Sequence, residues 1–61
     1  MKYLVEMSLW NRWIIVHPQD RHLAWSGSCW VPHVRGVGTL AQISNYETRD
    51  AAHAAARQQI A

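Results

Sequence analysis

The chain has 61 residues, with six Lys or Arg against four Asp or Glu and a formal net charge of +2. A domain of this size buries only about 60% of the surface its unfolded chain exposes, and the single cysteine, Cys29, excludes an intramolecular disulfide. The charge excess is too small for a basic stripe of the kind that grips a nucleic-acid backbone, and no stretch approaches the roughly 18 apolar residues of a membrane span.

Met1-Lys2-Tyr3-Leu4-Val5 is followed at once by Glu6 and Ser8, so no apolar signal-peptide core forms. A lone cysteine without such a signal fits a reducing, cytoplasmic compartment. The expectation is one small domain over residues 1–61, cytoplasmic, off the membrane and without a cofactor. Its stability would rest on dense aromatic packing or on a partner subunit.

Tyr3, Val5, Met7 and Leu9 alternate with Leu4, Glu6, Ser8 and Trp10, and this period of two predicts a half-buried strand over about 2–9. Trp13 to His17 is a β-branched and aromatic run, a second strand over 13–17. The turn between them falls on Trp10-Asn11-Arg12-Trp13, where Asn tolerates positive φ. Pro18-Gln19-Asp20-Arg21 marks the next turn. A third strand then runs over 22–30, broken by a bulge or bend at Gly27 and ending ahead of Pro32. Arg35-Gly36-Val37-Gly38 reads as a loop and 39–44 as a fourth strand. Thr48 is a helix N-cap, Asp50 sits in the first turn, and the alanine-rich stretch to Ile60 predicts a helix over 48–60.

Together these give an α+β fold: a three- to four-stranded antiparallel β-meander with one C-terminal helix packed on one face. If Leu9 opposes Ile14, and His17 opposes His22, one face collects Tyr3, Val5, Met7, Leu9, Ile14, Val16, Leu23 and Trp25. That set is wholly apolar and is the face the helix would cover. Leu4, Glu6, Ser8, Trp10, Trp13, Ile15, His17, His22, Ala24 and Ser26 fall on the other side.

The opposite side is where function is expected. Trp10, Trp13 and Ile15 would form an exposed apolar centre there, joined by Trp30 and rimmed by Arg12, Arg21 and Arg35. Exposed aromatics in contiguous patches mark interaction surfaces, and Trp and Arg are enriched in interface hot spots. The alternative is that Trp30 and residues 31–38 fold over this side as a second small core. The reading adopted is a non-catalytic protein-binding module whose partner is another protein or itself, as a homodimer.

The pattern Tyr46-x-Thr48-x-Asp50-Ala51-Ala52 resembles the helix start of three-stranded-sheet DNA readers, such as the AP2 type and the arm-binding domain of phage integrases. The tryptophan and arginine face itself allows a second reading, a nucleic-acid-binding sheet in which tryptophans stack on bases and arginines meet phosphates. The sheet carries fewer Arg and Lys than those readers, which ranks this behind protein binding. A third reading is a zinc-stabilised domain, since His17, His22, Cys29 and His33 supply four competent ligands. Their order matches no common finger or ribbon. In size and composition the chain is similar to small phage-encoded modulators and inhibitors of host proteins. No nucleophile, base and oxyanion set is recognisable, so no enzyme activity is expected.

Overall fold

The computed structural model describes residues 2–8, 11–33 and 43–60. It is an antiparallel sheet carrying one C-terminal helix. The strands are β1 (Leu4–Met7), β2 (Trp13–Val16), β3 (Leu23–Trp25), β4 (Trp30–Pro32) and β5 (Asn45–Tyr46), and the helix is α1 (Arg49–Gln59). β1 to β4 form a meander in the order β1-β2-β3-β4, and β5 also pairs with β2. β3 and β5 share one edge of β2. β3 takes the Val16 end, opposite Ala24, and β5 takes the other end, with Trp13 opposite Tyr46 and Ile14 opposite Asn45. The Ser44 N–H donates to the Trp25 carbonyl at 3.0 Å, which joins the two in series.

The first hairpin is closed by the Ser8 N–H donating to the Arg12 carbonyl at 2.7 Å. Asn11, next to Arg12, is at φ 56°. Asn accepts that left-handed conformation at low cost. Val5 therefore opposes Ile15 and Met7 opposes Trp13, instead of the expected pairing of Met7 with Val16. The second hairpin differs as well. His17 N–H donates to the Leu23 carbonyl at 2.9 Å, and the loop is tightened by Asp20 Oδ1 accepting from His22 N–H at 3.0 Å. The expected opposition of His17 and His22 is thus off by one residue.

Each shift is odd, and an odd shift exchanges the faces of a strand. The two exchanges cancel for β3 and act only on β2. Tyr3, Val5 and Trp25 stay on the helix side as expected. Trp13 and Ile15 join them there, whereas Ile14 and Val16 move to the far side.

Gly27 does more than bend a strand. The Ser26 N–H donates to the Cys29 carbonyl at 2.9 Å and Trp25 opposes Trp30, so 22–30 is two strands joined by a tight hairpin. Gly27, at φ 105°, supplies the positive φ that the first central position of such a turn needs. In the expected 39–44 strand, residues 39–42 lie outside the described residues. Ile43 and Ser44 precede the observed strand.

The sheet is buried on both sides. On one, Ile14, Val16, Ala24 and Ile43 form a core with Leu4 and Val31 against it. His33, also buried, has an Nδ1 with no hydrogen-bond partner among the described residues. On the other side Ile15 and Trp25 pack against Ala52 and Ala56 of α1, with Tyr3, Val5, Trp13, Trp30, Tyr46 and Ile60 around them. Ala52 and Ala56 are one helical turn apart and fully buried. Their small side chains let the helix lie close on a bulky sheet.

Thr48 caps the helix, its Oγ1 accepting from Ala51 N–H at 3.1 Å. Asp50 in the first turn and Arg57 in the last complement the helix dipole. Thr48→Ala is expected to cost about 1 kcal/mol, read as a lowered urea midpoint at unchanged slope.

Candidate protein interface

The described residues expected to form an aromatic surface, Trp13, Ile15 and Trp30, do not share an exposed one. Ile15 is completely buried beneath α1, and Trp13 is half-buried in the same cluster. The placement of Ile15 and Trp13 on an open face is therefore corrected, because the first hairpin pairs three residues away from the expected register and so inverts β2. Trp10 and Arg35 lie outside the described residues, as do residues 34–38 of the loop that could have covered that face. Ile43, from the following segment, is buried on the side opposite the helix.

The two described rim arginines are engaged within the fold. Arg12 Nε donates to Asn45 Oδ1 at 2.9 Å, Asn45 Nδ2 donates to the Ile43 carbonyl at 3.1 Å, and Glu47 lies 3.9 Å from Arg12 Nη1. This ties β5 to β2. Arg21 Nε donates to Glu6 Oε2 at 2.6 Å and its Nη2 pairs with the same oxygen, clasping the second hairpin loop to β1. The Arg21 side chain remains 62% exposed, and exposed pairs of this kind contribute less than about 1 kcal/mol.

Trp30 is different. It stands half-buried on β4, on the helix side, at the margin of the cluster that holds Trp25, Ala52 and Ala56. The helix runs over β1, β2 and β5 and reaches β3 through Trp25, whose indole Nε1 donates to Gln59 Oε1 at 2.7 Å. Beyond that contact the helix-side face of β3 and β4 forms a ledge. Trp30 packs edge-on against Trp25, with ring centroids 5.2 Å apart, and against His17 at 5.0 Å. Such T-shaped contacts fix an aromatic ring in place beyond what burial alone does. Leu23 and Pro32 oppose each other on the same face, half-buried and exposed respectively. The ledge thus presents one rigid indole, an imidazole, a leucine and a proline. No match is found among protein-family models, curated proteins or solved structures.

The four zinc-competent residues are dispersed. His17 packs on Trp30 on the helix side, and His33 is buried on the opposite side. His22 is exposed in the second hairpin loop. Cys29 is exposed beside Gly27 and Ser28, where Ser26 Oγ donates to its carbonyl at 2.9 Å and stands 3.6 Å from its Sγ. Among the described residues no three His, Cys, Asp or Glu could hold a metal ion together. No helix among them is long and apolar enough to cross a membrane.

His17, Leu23 and Pro32 enter the candidate site from the structure. The signal that finds them is Trp25-Ser26-Gly27-Ser28-Cys29-Trp30 read as a two-residue Gly-Ser hairpin, which places the two tryptophans opposite each other.

Proposed function

We propose that the chain is a small non-catalytic module that binds another protein through the helix-side ledge centred on Trp30. The observation that supports this reading is the incomplete cover of one sheet face by the described residues. The helix shields β1, β2 and β5, while Trp30, His17, Leu23 and Pro32 stay at the surface beside it. An indole held by two edge contacts loses little freedom on binding, which is why Trp so often anchors an interface. Protein is favoured over nucleic acid because Arg12 and Arg21 are engaged by Asn45, Glu47 and Glu6. A phosphate backbone needs cations along its track.

Pro32→Glu tests the ledge without touching the core, since Pro32 is exposed on the last position of β4. Affinity capture from a cell extract is compared for the unmodified chain, Pro32→Glu and Arg57→Glu, the last an exposed helix control. The expected result is a protein retained by the first and third and weakened about tenfold or more by Pro32→Glu, a loss of roughly 1.4 kcal/mol. Equal retention by all three would remove the ledge from the binding site. Retention that collapses with added salt and nuclease would instead select the nucleic-acid reading.

A further inference from the structure

Among the described residues, the two outer edges of the meander, β1 and β4, are unlike. In β1 the Ser8–Arg12 hydrogen bond sets the alternation, so that Ser8, Glu6 and Leu4 turn their backbone groups toward β2. Tyr3, Val5 and Met7 turn theirs outward. No described residue takes those outward N–H and carbonyl groups. On the other edge, Ser26–Cys29 and His33–His22 bonds turn Trp30 and Pro32 outward, and Pro32 has no N–H to give. β4 is blunted in the way edge strands commonly are; β1 has no proline to blunt it. Met7, on β1, is also the exposed large hydrophobic residue among those described, at 46%.

We propose that β1 pairs antiparallel with β1 of a second copy of the chain, about a two-fold axis through Val5. This goes beyond the ledge reading and does not depend on it. With Val5 on the axis, Val5 opposes Val5 of the other copy and Tyr3 opposes Met7. All three outward residues then meet outward residues, each pair exchanging two backbone hydrogen bonds. On the helix side Met7 is covered by a tyrosine, an aromatic–thioether contact that is favourable in its own right. On the other side Leu4 faces Glu6. Charge selects this register over its neighbour: an axis through Glu6 would set two carboxylates directly opposite, which is destabilising. An axis through Leu4 would set Tyr3 opposite Val5 and lose the Tyr3–Met7 contact. Each copy carries only +2, so repulsion between copies is weak.

A second copy fits this edge better than an unrelated strand because the edge is its own complement under the two-fold, as an isologous interface requires. β1 and β4 are opposite edges of the meander. The dimer is therefore one continuous sheet with a Trp30 ledge at each outer end, a bivalent arrangement.

The test combines light scattering with amide exchange on the full chain. The unmodified protein is expected at about twice its 7.0 kDa chain mass at high micromolar concentration, with the Val5 and Met7 amides protected and their protection rising with concentration. Met7→Lys, at an exposed side chain, is expected to give a monomer with unchanged far-ultraviolet circular dichroism. Val5→Pro, which removes an outward N–H, is expected to do the same. Should the proline variant fail to fold, Met7→Lys decides alone. A monomer at millimolar concentration overturns the proposal. So does a dimer whose Val5 and Met7 amides exchange freely, or one that survives Met7→Lys.

Discussion

Ile15→Ala is expected to leave most of the chain unfolded at room temperature. Ile15 is completely buried between the sheet and α1, in contact with the cluster that holds Trp25, Ala52 and Ala56. Truncating a buried isoleucine costs about 2–5 kcal/mol, because the lost transfer energy is joined by that of the cavity left behind. A core of this size rarely supplies more than about 3–5 kcal/mol in total. The cost is therefore comparable with the whole stability. The near-ultraviolet circular dichroism of the tryptophans and a urea titration at fixed protein concentration read the outcome. A cooperative transition at the unmodified midpoint would return Ile15 to the surface and reopen the sheet face on which the sequence first places it.

That single residue shows where the sequence speaks clearly and where it is silent. In β1, Tyr3, Val5 and Met7 alternate with a side that carries Glu6, so its helix-facing side can be read from the pattern. The helix announces itself through Thr48, Asp50 and the alanines. β2 offers no such contrast. Trp13-Ile14-Ile15-Val16 is apolar at every position, as a strand buried on both sides must be, and fits equally well with either set inward. Its orientation rests on turn geometry alone, and the described marks of that turn are the Ser8–Arg12 hydrogen bond and Asn11 at positive φ. Nothing in the pattern of Leu9-Trp10-Asn11-Arg12 fixes that register.

The candidate site was half legible for the same reason. Trp30 is identified by its residue type, but its neighbours depend on reading Gly27 as the first central residue of a hairpin rather than as a bend in one strand. Once that hairpin is in place, Trp25 and Trp30 oppose, Leu23 and Pro32 oppose, and His17 comes onto the indole from β2. The arginines carry the opposite lesson. Arg12 and Arg21 look like rim residues of an interface, yet each reaches a partner distant in the chain, Asn45 and Glu6, that no local pattern pairs with it.

Ala56→Leu is expected to be the most damaging change on the helix, although leucine is a good helix former. The helix approaches the sheet across Ala52 and Ala56, both fully buried, and the sheet residues opposite are already large. Extra methylenes at such a contact force the helix off the sheet or neighbouring side chains off their rotamers, at about 1–3 kcal/mol. In a domain of this size each kcal/mol moves the melting temperature by roughly 4–8 °C. Lifting the helix would also stretch the Trp25–Gln59 hydrogen bond, which is made from the same helix end. Ala54→Leu is the matched control: it adds the same atoms two residues earlier, on the exposed side of α1, where substitutions stay within about 0.5 kcal/mol. Parallel thermal scans of the two variants separate helix propensity from close packing. A lowered melting temperature for Ala56→Leu alone is expected; equal temperatures would mean that the sheet and helix are held apart by something other than their own side chains.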